Sequence, residues 1–123
     1  METHRNKPNS PNTGTPRARA CSTRQESEKV LEARLRKEIE KRGGLALKLS
    51  AQLHRGLPDR LILLPGGRPH FVEMKSTGKK PTKLQIHCHQ ELRDLGFSVW
   101  VVDSSEKLDD LLLIIDFEDL EMI

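Results

Sequence analysis

Residues 57–75 read LPDRLILLPGGRPHFVEMK, and the way this stretch folds decides the architecture of the chain. Two short apolar runs, RLILLP and PHFVEMK, flank Gly66-Gly67, whose turn chemistry joins them as a β-hairpin. If Pro65 to Arg68 forms the turn, Leu64 faces Pro69 and Asp59 falls opposite residue 74. A one-residue irregularity is then needed to bring Asp59 beside Glu73. Side chains alternate along a strand, so Phe71, Glu73 and Lys75 share one face while Val72 and Met74 share the other. Two carboxylates and an ammonium therefore converge at one end of an otherwise apolar hairpin.

On the N-terminal side, Val30, Leu31, Leu35 and Ile39 recur at helical spacing between Ser27 and Arg42. Ser27 is a natural cap for this helix and Gly43-Gly44 a natural end. LALKLS, residues 45–50, alternates like a strand, and AQLHRG is a loop. Beyond the hairpin, STGKKP is a polar, basic loop, and Thr82 caps a helix from Lys83 to about Leu95, closed by Gly96. SVWVVD is an apolar, β-branched strand expected in the interior of the sheet, with Trp100 in the core. Ser104 or Ser105 starts an acidic helix running through LDDLLLII. The order α-β-β-β-α-β-α predicts an α/β fold with a mixed central sheet flanked by helices. Residues 1–24, rich in Pro, Asn, Thr, Ser and Arg, read as a disordered basic arm, and residues 25–123 as a single domain.

Composition narrows the function classes. The chain has 123 residues, 35% hydrophobic and 32% charged, so the core is modest. No run approaches the roughly 18 apolar residues of a membrane helix, and the N-terminus has no apolar segment of a secretory signal. Cys21 and Cys88 alone make no disulfide framework, which reads as a reduced, cytoplasmic chain. The net charge of +3 conceals a segregation: +4 over residues 1–25, +6 over 26–102 and −7 over 103–123. A basic middle suits a phosphate-binding surface, although solubilising charge produces the same count.

Carboxylates are hard oxygen ligands for Mg²⁺, which needs only one or two of them beside water and substrate phosphate. A neighbouring lysine can orient the attacking water and stabilise phosphate charge. Taken alone, Glu73-x-Lys75 is equally a solvent-facing pair at a strand end, and Asp59 after Pro58 a turn residue. Pro58-Asp59 followed by a hairpin that ends in E-x-K is far more specific, and it points to metal-assisted phosphodiester hydrolysis. Zinc at His54, His87 and His89 is set aside, because helical residues two apart point roughly 200° apart. The STGKK loop lacks the remaining positions of a phosphate loop, and no G-x-S-x-G element supports a serine hydrolase.

Residues 28–104 resemble the VRR-NUC domain, a branch of the PD-(D/E)XK nuclease superfamily found in phage proteins and DNA-repair nucleases. KRGGLALKL, GLPDRLILLPGGRPHFVEMK, PTKLQ and LGFSVWVVDS carry the resemblance, in the family's order, and the chain has the size of the short stand-alone phage forms. The resemblance implies a Mg²⁺- or Mn²⁺-dependent DNA endonuclease, without a small-molecule cofactor. Asp59, Glu73 and the backbone carbonyl of Met74 would hold the metal, and Lys75 would be the catalytic lysine. A first-helix glutamate would reach the metal directly or through water; Glu32 fits that position best, with Glu28 one turn earlier as the fallback. Gln85 matches the family's glutamine, which positions the lysine or the scissile phosphate. Implied partners are duplex or branched DNA, four-way junctions among them, and a second copy of the chain in a homodimer. Lys48, Arg60, Lys79, Lys80 and Lys83 either touch DNA phosphates or are merely solvated. The rival reading is a non-catalytic DNA-binding or interaction module on the same fold. A degenerate site would have lost one of Asp59, Glu73, Lys75 or Gln85, and all four are present.

Overall fold

A computed structural model describes residues 26–50, 52 and 54–121; the basic arm expected at residues 1–24 lies outside them. The elements are α1 (Glu28–Lys41), β1 (Leu45–Lys48), β2 (Arg60–Leu64), β3 (Arg68–Met74), α2 (Lys83–Asp94), β4 (Ser98–Val102) and α3 (Ser105–Glu121). The order is the α-β-β-β-α-β-α read from the sequence. Ser27 caps α1, its hydroxyl accepting from the Val30 amide at 3.2 Å. Leu31, Leu35 and Ile39 form one buried stripe along that helix.

The four strands lie in the order β1-β2-β3-β4. The first three form an antiparallel meander, and β4 joins β3 in parallel after the α2 crossover. Leu64 pairs with Arg68 and Leu63 with Pro69, so the hairpin register differs by one residue from that expected. Gly66 and Gly67 both take positive φ (89° and 74°), which lets the chain reverse over three residues instead of four. In this register Arg60 faces Val72, which sets Asp59 against Glu73 with no irregularity.

The strand expected in the sheet interior, β4, is an edge strand, paired among the described residues with β3 alone. Its apolar residues are accounted for by helix packing on its two faces, since both α2 and α3 contact it. Val72, Met74, Ile62 and Val102 point to the α1/α3 side and join Leu31, Leu35, Ile39, Leu108, Leu111 and Ile115 in the main core. Trp100 packs against that core and donates Nε1–H to His70 Nδ1 at 3.2 Å, which leaves His70 Nε2 to donate to Glu118 at 3.0 Å. On the other face Phe71 meets Phe97 edge-on at 5.7 Å.

Helix α3 divides its apolar residues between two faces. Leu108, Leu111, Leu112 and Ile115 are buried, whereas Leu113, Ile114, Phe117 and Leu120 are exposed. Its carboxylates hold arginines from other elements: Asp109 takes Arg34, Asp116 takes Arg42 at 2.7 Å, and Asp119 takes Arg68 at 2.7 Å. Glu26 binds its start, accepting from the Ser105 amide at 2.9 Å and from the Ser105 hydroxyl. Because the Glu26 amide also donates to Thr77 Oγ1 at 2.9 Å, the starts of α1 and α3 and the loop after β3 are tied at one point. That knot fixes the first turn of α1 beside the open end of the hairpin.

Candidate functional site

The open end of the hairpin gathers the residues singled out in the sequence. Asp59 immediately precedes β2, and its carboxylate accepts the Met74 amide at 3.1 and 3.4 Å. Met74 gives its side chain to the core, 1% exposed, so strand alternation turns Glu73 to the opposite face. Glu73 is only 3% exposed. Its Oε2 accepts from Gln85 Nε2 at 3.1 Å and pairs with Lys75 Nζ at 3.3 Å. Its Oε1 is buried and has no hydrogen-bond partner among the described residues.

Helix α1 contributes both candidate acids. One carboxylate oxygen from each of Glu28, Glu32 and Asp59 lies within 4.8 Å of the others. Glu32 is held by Arg60, Nη2 to Oε1 at 3.2 Å, with both side chains largely shielded from solvent. Arg60 therefore serves Glu32, a role that nothing in the residue pattern announced. Lys48, Lys79, Lys80 and Lys83 stand exposed.

Gln85 does two things at once. Its Oε1 accepts the Thr82 amide at 2.9 Å, completing a capping box with the Thr82 hydroxyl, while its Nε2 holds Glu73. The T-x-x-Q spacing carries the first role in the sequence; the second needs the fold. Gln85→Ala is expected to lower stability by about 1–2 kcal/mol, through the cap and the lost partner of a buried carboxylate. Gln85→Glu keeps the cap acceptor but sets a second carboxylate against Glu73. It is expected to recover the helix cap in thermal melts while reducing activity further than Gln85→Ala.

The electrostatics of this cluster set what it can bind. Asp59 is pushed up to about 7, first by burial and then by the Glu73 charge, with Glu32 and Glu28 adding to the effect against the Met74 amide. Glu73 is also raised, by burial foremost, against the pull of Lys75. Lys75 and Arg60 together do not balance the four neighbouring carboxyl groups of Glu28, Glu32, Asp59 and Glu73. An all-oxygen donor set with excess negative charge and an unpartnered buried carboxylate oxygen fits a hard divalent cation.

No family model matches the chain. It is 44% identical over 79 residues to a protein named "Putative nuclease p44" from Acyrthosiphon pisum secondary endosymbiont phage 1, an alignment covering 64% of this chain and 85% of that protein. A solved structure described as a VRR_NUC domain superposes with a TM-score of 0.67 at 35% identity, covering 71% of this chain and 95% of that one.

Proposed function

Given that the chain belongs to the VRR-NUC nucleases, we propose that the open end of its hairpin is a divalent-metal site that hydrolyses DNA phosphodiester bonds. The observation carrying this reading is Glu73: a buried carboxylate with one oxygen on Gln85 and Lys75 and the other unpartnered, beside an Asp59 whose burial resists ionisation. Asp59, Glu73 and the Met74 carbonyl would hold Mg²⁺ or Mn²⁺, with Glu32 reaching it directly or through water. When bound, the cation would stabilise negative charge on the phosphate and acidify a bound water.

The remaining work falls to the chain's own groups. Lys75, tethered to Glu73, orients the attacking water and offsets charge on the phosphoryl oxygens. Gln85 holds Glu73 so that its free oxygen keeps its direction. Arg60 does the same for Glu32, with Glu28 standing next to it as the second α1 acid. In-line attack of water expels the 3′-oxygen and leaves a 5′-phosphate end. Lys48, Lys79, Lys80 and Lys83 form the basic rim that tracks the DNA backbone.

The substrate in this reading is branched DNA, with four-way junctions foremost, arising in replication, repair or recombination in the cytoplasm of a phage host. Two sites acting on two strands require two copies of the chain. The exposed face of α3, with Leu113, Ile114, Phe117 and Leu120, supports a homodimer. No described helix is long and apolar enough to cross a membrane.

The test is an incubation of purified protein with labelled duplex, single-stranded, flap and four-way-junction DNA. Cutting with Mg²⁺ or Mn²⁺, abolished by EDTA, is the expected result, with the junction cut fastest. Metal-independent cutting would sink the assigned site. DNA binding without cutting under any metal would make the chain a binding module on a nuclease fold.

A further inference from the structure

A second group of ligating side chains lies outside the carboxylate site. His54, in the loop between β1 and β2, meets Cys88 and Glu91 on α2, and one ligating atom from each lies within 4.8 Å of the others. Cys88 and Glu91 are three residues apart on the helix and share a face, unlike His87 and His89. His54 Nε2 is already 3.7 Å from Glu91 Oε1. The nitrogen–oxygen edge of a zinc tetrahedron is about 3.3–3.5 Å, so a closure of a few tenths of an ångström brings the pair to ligating distance. The other Glu91 oxygen lies 3.9 Å from His87 Nε2. The three ligands line a cavity of about 200 Å³ together with Leu57, Leu92 and Leu95.

We propose that His54, Cys88 and Glu91 form a transition-metal site for Zn²⁺, with water as the fourth ligand, that staples the β1–β2 loop to α2. The donor set separates it from the nuclease site: sulfur, imidazole and one carboxylate select zinc or cobalt, whereas an all-oxygen cluster selects magnesium or manganese. The loop is built to sit there. Gly56 has φ +81°, and a Cβ at this position would come 2.6 Å from the Leu84 carbonyl oxygen and 3.2 Å from Cys88 Cβ. Only glycine allows the loop this close to the helix.

The staple joins two arms of the nuclease site without touching it. The β1–β2 loop delivers Asp59, whose carbonyl accepts the Leu49 amide at 2.8 Å. On α2, Gln85 lies one turn before Cys88. Zinc binding here is separable from cleavage, because its signature is spectroscopic. Titrating the full chain with Co²⁺ is expected to produce a thiolate charge-transfer band and tetrahedral d–d bands that saturate near one equivalent. Zn²⁺ should displace them and excess Mg²⁺ should not. Cys88→Ser and His54→Ala should each abolish the bands, and Cys21→Ser should retain them. His54 is exposed, so His54→Ala should keep the wild-type circular dichroism, and Zn²⁺ should raise the melting temperature of wild type but not of this variant. Bands that never appear, that survive either Cys88→Ser or His54→Ala, or that vanish in Cys21→Ser overturn the site.

Discussion

Asp59→Asn is expected to abolish cleavage and, at the same time, to raise the melting temperature of the metal-free protein. The first effect follows from removing the proposed charged metal ligand, a loss on the order of 10³-fold or more in turnover. The second follows from the electrostatics of the site. In the unfolded chain Asp59 releases its proton near 3.8; in the folded protein it holds it to about 7. The folded state therefore binds the extra proton between those values, and the stability it contributes is present at acid pH and declines as pH rises from about 4 to 7. At neutral pH the ionised carboxylate sits buried beside Glu73 at a net penalty. A displacement of that size is worth about 4 kcal/mol at most, and solvent screening at a partly exposed side chain reduces this to roughly 1–2 kcal/mol. Asparagine removes the charge and still presents an oxygen to the Met74 amide. Melts at pH 5 and 7.5, with and without Mg²⁺, should show wild type losing metal-free stability on the way to pH 7.5. The variant should be less sensitive to pH, and Mg²⁺ should stabilise wild type alone. A variant that melts lower than wild type at pH 7.5 would contradict the strain assigned to Asp59.

Lys75→Ala is expected to lower single-turnover cleavage by about 10²–10⁴-fold while DNA affinity changes only severalfold. The ammonium lies 3.3 Å from Glu73 Oε2, at the carboxylate and not on the basic rim, so its removal acts on the chemical step. Lys75→Arg should recover little, because a planar guanidinium favours bidentate engagement of Glu73 over a single ammonium contact. Binding measured in Ca²⁺ and cleavage started with Mg²⁺ separate the two effects. A parallel loss of affinity and cleavage would make Lys75 a phosphate anchor. Lys79→Ala with Lys80→Ala should show the opposite pattern, weakening binding and flattening its salt dependence with little change in the chemical step.

Much of this architecture is legible in the chain. Helices α1 and α2 announce themselves by periodicity and by Ser27 and Thr82 as caps, because local hydrogen bonding decides helix starts. Alternation alone puts Glu73 and Lys75 on the face opposite Val72 and Met74. The hairpin register differs by one from the sequence reading, since whether Gly66-Gly67 closes a three- or four-residue turn depends on backbone angles that composition does not fix. Strand β4 lies at the sheet edge and not in its interior, because burial by helices above and below leaves the same apolar signature as burial between strands. The pairing of Arg60 with Glu32, the hold of Gln85 on Glu73 and the meeting of His54 with Cys88 join residues from separate elements. Periodicity reports a residue's own element and is silent on such tertiary contacts.

The arginines held by α3 have a consequence for how the protein finds its substrate. The turn of the hairpin, where Arg68 meets Glu118 and Asp119, and the open end, where Asp59 meets Met74, are separated by the five residues of β2, roughly 17 Å. Positive charge at the turn is cancelled there by acidic partners, whereas Lys48, Lys79, Lys80 and Lys83 remain uncancelled on elements that border the other end. In the proposed reading these lysines, bordering a site whose own carboxylates are in excess, are the charges that meet a polyanion first. A polyanion approaching through solution is drawn to this lysine border before contact. Arrival should slow steeply as ionic strength rises, while turnover of DNA already bound stays unchanged.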